Sequence, residues 1–146
     1  MGGVSGSINA EDIASVSQAS VLVVGASSKA NASLLAERGW LATPCASGRL
    51  ALEMLAQERY QAVLWDLDMP GGDGLEQLHR NSADFPHVAF VALTKPQELR
   101  RGVLAMISGA AGYIQLPIDP QTVAETLECA LKKKQLESAL NDLTSR

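Results

Sequence analysis

The stretch Ala62-Val63-Leu64-Trp65-Asp66-Leu67-Asp68-Met69-Pro70-Gly71-Gly72-Asp73-Gly74 constrains the fold more than any other part of the chain. An apolar run passes directly into a carboxylate, and a Pro/Gly/Asp cluster then breaks the chain before an amphipathic segment that begins at Leu75. A short apolar run bounded by turn residues reads as a strand buried on both faces, the kind found in parallel sheets covered by helices. Asp66 is therefore expected at the carboxyl end of a central strand. In open α/β sheets that edge is where sites are built. The competing use for Asp66 is to cap the turn that follows.

The remaining segments repeat the same alternation. Residues 20–24 read as a first buried strand ended by Gly25, and 28–38 as a helix with Leu34 and Leu35 inward and Gly39 as its stop. Residues 40–46 form a second strand whose Pro44 suits an edge position. Ser47 offers an N-cap to a helix through Gln57, with Leu50, Met54 and Leu55 at helical spacing. After the central strand, a short helix from Leu75 to about Asn81 and a loop over 82–86 lead to a fourth strand ending at Thr94. Pro96 opens a helix in which Leu99, Val103, Leu104 and Ile107 recur at three and four. Residues 113–116 make a fifth strand, and Asp119 with Pro120 starts the last helix.

Five strands alternating with five helices, joined by right-handed crossovers, predict an α/β flavodoxin-like (βα)5 three-layer sandwich with a parallel sheet in the order 2-1-3-4-5. Residues 1–19, rich in Gly, Ser and Ala, read as a flexible lead-in, 20–131 as the domain, and 132–146 as a helical extension. A chain of 146 residues carries one ordinary domain. Its net charge of -4 is spread over interspersed acids and bases, so neither nucleic acid nor an anionic lipid surface is an expected partner. The apolar runs are too short to span a bilayer and the N-terminus lacks the pattern of a signal peptide, so a cytoplasmic protein is expected. Cys45 and Cys129 then read as reduced thiols, and His79 and His87 as surface residues.

The segment from about Ser20 to Leu131 resembles the receiver domain of bacterial two-component response regulators. The stretch around Asp66, with Asp68, Pro70 and Gly74, is similar to the family's loop around its phosphoacceptor aspartate. Thr94 stands where the family keeps a switch hydroxyl, Tyr113 where it has a switch aromatic, and Leu116-Pro117 where it has Lys-Pro. The resemblance implies that a histidine kinase donates a phosphoryl group to Asp66. It also implies magnesium, held by two adjacent acids after the first strand, by the acceptor carboxylate and by a carbonyl two residues beyond it. Such transfer depends on positioning and electrostatic stabilisation.

The departures fall on the groups that carry this chemistry. Gly25 and Ala26 replace the acidic pair and Leu116 replaces the lysine, so none of the three supplies a ligand atom or a charge. One opposite-charge contact near a protein surface is worth about 4 kcal/mol at ~4 Å and an effective dielectric of ~20. With only Asp66 and Asp68 left as ligands, magnesium is expected to bind weakly or not at all, and no other cofactor is implied. Lys29 or Lys95 could stand in as a permanent cation beside Asp66.

The expectation is therefore an atypical, or pseudo-, receiver: a non-enzymatic signalling module acting through contacts with a histidine kinase or a downstream effector. One alternative is an ordinary phosphoacceptor modified at Asp66. Another, of a different class, is a small nucleotide-binding enzyme using Gly25-Ala26-Ser27-Ser28 as a phosphate-cradling turn. In the last helix Val123, Leu127 and Leu131 suit packing on the sheet, whereas Leu136, Leu140 and Leu143 have the four-then-three spacing of a coiled-coil seam. An extension this short needs a partner to remain helical. The resemblance adds a homodimer through the fourth helix, fifth strand and last helix, with the C-terminal helix joining it.

Overall fold

The computed structural model describes residues 19–69 and 73–144. The expected lead-in through residue 18 and Pro70 of the central loop lie outside them. The chain forms β1 (Ser20–Val24), α1 (Ser28–Ala36), β2 (Leu41–Cys45), α2 (Gly48–Gln57), β3 (Ala62–Asp66), α3 (Gly74–Asp84), β4 (Ala89–Thr94), α4 (Leu99–Ile107), β5 (Gly112–Gln115) and α5 (Pro120–Thr144). All strand pairs are parallel and the order is β2-β1-β3-β4-β5. Pro44 sits on the edge strand β2, where its missing N–H costs no ladder bond on the outer side.

β3 is central, and its residues Ala62, Val63, Leu64 and Trp65 are wholly buried. Side chains alternate between the two faces of a strand. Leu64 joins Val21, Val23, Val91 and Leu93 beneath Leu35 of α1 and Val123 and Leu127 of α5. Val63 and Trp65 join Leu22 and Phe90 beneath Ala51 and Leu55 of α2, Leu78 of α3 and Ala105 of α4. Trp65 meets Phe90 edge to face, centroids 6.3 Å apart and planes at 67°. In register, Val24 lies beside Trp65 and Asp66 beside Leu93. Gly25, Asp66 and Thr94 thus arrive together at one edge of the sheet.

Helix starts follow their caps. Ser47 Oγ accepts the Leu50 N–H at 3.1 Å, and Asp119 Oδ2 accepts the Thr122 N–H at 3.0 Å. Asp73 caps α3 by accepting from the N–H groups of Leu75 and Glu76. This helix outlasts its expected end at Asn81 by three residues, because the Ser82 hydroxyl donates back to the His79 carbonyl and the Phe85 N–H to that of Asn81. α4 starts at Leu99 rather than Pro96, since residues 95–98 close a turn through a 3.0 Å bond from the Glu98 N–H to the Lys95 carbonyl. Ala19, expected in the lead-in, is buried in the core.

The larger departure concerns α4. Its periodic Leu99, Val103, Leu104 and Ile107 point outward, with Ile107 76% exposed, while Gly102 and Ala105 face the sheet. The ring of Tyr113 lies so close over Gly102 that a Cβ there would come within 2.7 Å of Tyr113 Cδ2. Small residues let the helix settle against the sheet, and the bulky apolar ones are left on the outside. Leu50 of α2 is likewise exposed, with Ala51 taking the inner position. α5 buries Val123, Leu127 and Ala130 and continues unbroken to Thr144 with Leu136, Leu140 and Leu143 exposed.

At Gly74 a Cβ would run into the carbonyl oxygen of Leu67, and the Gly74 carbonyl itself accepts the buried Trp65 Nε1–H at 3.1 Å. Gly74→Ala is expected to cost about 1–3 kcal/mol of stability by overpacking. It should appear as a lower urea midpoint with an unchanged slope. Leu104→Ala, on the outer face of α4, should stay within about 0.5 kcal/mol of the parent.

Candidate functional site

The carboxyl edge of the sheet gathers the site. Asp66 ends β3 half-buried, and its Oδ1 accepts the Asp68 N–H at 2.9 Å. On its other side lies Gly25, whose φ of 144° turns the chain sharply out of β1 while its N–H donates to the Cys45 carbonyl at 2.9 Å. A Cβ on Gly25 would sit 2.7 Å from Asp66 Cβ and 2.9 Å from Oδ2. Both the backbone conformation and the contact exclude any other residue without movement. Ala26 is exposed next to it.

Burial pushes the Asp66 carboxyl above the usual carboxylate range, with the nearby Asp68 charge adding to the rise. The Asp68 N–H and the charges of Lys95 and Arg101 pull the other way. Loss of hydration disfavours the charged form, and here that effect outweighs the attraction of the two cations.

The cation that engages the loop is Arg101, in the first turns of α4. Its Nη1 donates to Asp68 Oδ1 at 2.5 Å and to Glu98 Oε2 at 3.1 Å, and its Nη2 donates to the Leu67 carbonyl at 2.9 Å. A planar guanidinium suits several oxygens held at fixed angles. Lys29 and Lys95 are exposed, and neither forms an ion pair among the described residues. Lys95 acts on Asp66 only as a nearby charge. Reading α4 by its apolar spacing passed over Arg101. The signal that could have found it is topological: β4 is next to β3, so the helix following β4 starts beside the loop following β3.

Thr94 ends β4 fully buried, and its hydroxyl has no hydrogen-bond partner among the described residues. Tyr113 of β5 is half-buried against Gly102 of α4. Leu116 packs on the cluster beneath α1 and α5, its N–H donates to the Thr94 carbonyl at 2.7 Å, and the bond to Pro117 is cis. Asp66, Asp68, Gly25, Gly74 and Thr94 therefore share one edge. Among the described residues no group of three or more His, Cys, Asp or Glu is placed to hold a metal ion. In the Gly25–Ser28 turn, the Gly25 N–H and the Ser28 N–H, which donates to the Gly25 carbonyl at 3.2 Å, are both already engaged within the protein.

The family model for the response regulator receiver domain matches residues 25–128. The chain belongs to the response regulator receiver family. Response regulator protein FleR of Pseudomonas aeruginosa is 33% identical over 79 residues, covering 54% of this chain and 17% of FleR. The transcriptional regulator NtrC of Escherichia coli K12 is 31% identical over 101 residues, covering 69% of this chain and 22% of NtrC. This receiver thus spans about a fifth of the length of most of the curated relatives it matches. Among solved structures, a response regulator receiver domain from Clostridium thermocellum superposes with a TM-score of 0.73 at 25% identity, covering 81% of this receiver and 98% of that chain. NtrX from Brucella abortus superposes with a TM-score of 0.78 at 23% identity, covering 86% and 30%. The family match contains Asp66, Thr94, Arg101 and Tyr113, and it stops at residue 128, before the exposed leucines of α5.

The raised Asp66 proton affinity makes a pH prediction for the receiver. The folded state holds this proton more tightly than the unfolded chain does, so ionised Asp66 costs stability. That cost is absent below the unfolded carboxylate range and fully present above the raised folded value. Asp66→Asn keeps an Oδ1 acceptor for the Asp68 N–H while removing the charge. It should raise the urea midpoint at neutral pH, and the gain should fade as the pH falls to about 3.

Proposed function

We propose that this receiver is atypical: it takes a phosphoryl group at Asp66 poorly or not at all and signals through protein contacts rather than through turnover. The observation that carries this reading is the contact between Gly25 and Asp66. The space in which an acidic side chain after β1 would project is already filled by the Asp66 carboxylate, at 2.7–2.9 Å from a Cβ on Gly25.

Donor chemistry points the same way. Magnesium demands near-octahedral oxygen ligands. Among the described residues only Asp66 and Asp68 bring carboxylates to this edge, and the Asp68 carboxylate is already paired with Arg101. Leu116 turns an apolar side chain toward the core and brings no charge for an added phosphoryl group. The residues present do not fit the metal. In this reading Arg101 takes the place given on sequence grounds to Lys29 or Lys95: it supplies the permanent cation of the loop and ties that loop to α4. The outward apolar face of α4 next to Tyr113 is then the surface for a histidine kinase or an effector, or for a second copy of the chain.

One observation favours the ordinary phosphoacceptor instead. The buried Thr94 hydroxyl lacks a partner among the described residues, and a phosphoryl oxygen on Asp66 would supply an acceptor for it.

Incubation with magnesium and acetyl phosphate, followed by intact-mass measurement, separates the two readings. The unmodified mass is expected throughout. Robust phosphorylation that Asp66→Asn abolishes would overturn the atypical assignment.

A further inference from the structure

The C-terminal half of α5 carries an apolar stripe that the domain does not use. Each residue of an α-helix advances by about 100°, so the direction of a side chain follows from its number. Val123, Leu127 and Ala130 are buried against the sheet, and Lys134 continues that face beyond it. There the helix borders a groove with Ser82, Pro86 and His87. Cys129, Leu136, Leu140 and Leu143 lie roughly 160–220° around the axis from Leu127. They face directly away from the domain, and all four are exposed.

We infer that this stripe is the seam of a dimer in which the C-terminal halves of two α5 helices pack parallel and in register. The occupant is a second copy of this chain, and three features select it. Steps of seven, four and three from Cys129 through Leu136 and Leu140 to Leu143 keep one side of a helix on a partner helix, since they average 3.5 residues per turn. Leu136 and Leu143 fall at d positions and Leu140 at a, which makes Lys133 the preceding a, Lys132 the g before it and Glu137 the following e.

Charge decides the orientation. In a parallel pair, a residue at g faces the e position five residues further along the other helix, so Lys132 of each copy meets Glu137 of the other. An antiparallel pair sets e positions against e and g against g, so in the register that layers Leu136 on Leu140 Glu137 would meet Glu137 and Lys132 would lose its acidic partner. Glu137 also pairs with Lys134 of its own chain at 3.3 Å, but Glu137 is half-exposed there and such an i,i+3 pair contributes little. Lys133 is a single cation at an a position, a device that fixes register in two-stranded coils at some cost in stability. Its stem can cover the leucines while the ammonium reaches water.

The geometry leaves room for the pairing. Because the stripe points away from the sheet, the two domains lie on opposite sides of the seam. The 132–144 segment is exposed over most of its surface, and an isolated helix of that length is marginal in water. Burying three leucines from each copy supplies what the segment lacks. None of this depends on how Asp66 behaves, so the outcome is separable from that of the phosphorylation experiment.

Light scattering on the full chain, from low micromolar to millimolar concentration and without a phosphodonor, tests the inference. The mass is expected to rise toward that of a dimer. The double variant Leu136→Asp/Leu140→Asp should remain monomeric with an unchanged urea midpoint, its association weakened by at least about tenfold. Lys132→Glu and Glu137→Lys should each weaken the dimer by about two- to tenfold, and the two together should restore it. Cys129, at the d position above Leu136, serves as a reporter: diamide should yield a disulfide-linked dimer that the double leucine variant does not form, whereas Cys45 is buried. A mass that stays monomeric throughout, a dimer indifferent to the leucine substitutions, or a charge swap that fails to restore association would overturn the parallel seam.

Discussion

Complete burial of β3 between two helical layers is the constraint on which the other features depend. Val63 and Trp65 face one layer and Leu64 the other, so a slip of one residue would turn each side chain onto the wrong face. The end of the strand is consequently fixed, and Asp66 is aimed at a place from which it cannot retreat. Gly25 is the complement of that rigidity. With β1 adjacent in register, only a residue without a side chain passes the Asp66 carboxylate at this distance.

The loop beyond Asp66 is held from two directions. At one end the Trp65 indole donates to the Gly74 carbonyl and the chain at Gly74 presses on Leu67, which joins the loop to the start of α3. At the other, Arg101 gathers the Asp68 carboxylate and the Leu67 carbonyl, which joins the loop to α4. The partly buried guanidinium loses little by leaving water, since charged or carbonyl oxygens replace much of its hydration. Any change in this loop is therefore felt directly by the helix that carries the exposed Leu99, Val103 and Ile107.

Much of the architecture was legible in the residues because it rests on local rules. Apolar runs ending in turn residues marked the strands, Ser47 and Asp119 marked helix starts by the hydrogen bonds they make, and alternation of elements left a parallel sheet with Pro44 on its edge. The inner face of α4 was not legible. Periodicity identifies a stripe but not the packing partner, and at α4 the ring of Tyr113 and the sheet admit only Gly102 and Ala105. Arg101 was missed for a related reason: 33 residues separate it from Asp68, and no local pattern relates two charges brought together by neighbouring strands.

The sequence by itself determined the elements, their order in the sheet and the placing of Asp66 at a strand end, because these follow from the periods of helix and strand and from the chemistry of Gly, Pro and capping side chains. It also put Gly25 and Ala26 where the family resemblance implies acids, and Leu116 where it implies a lysine. Tertiary structure decided which cation meets the loop, which side of α4 faces water, and that the Asp66 carboxylate fills the space beside Gly25. Those outcomes depend on distances between residues far apart in the chain, and only the close packing of the sheet and its two helical layers sets them.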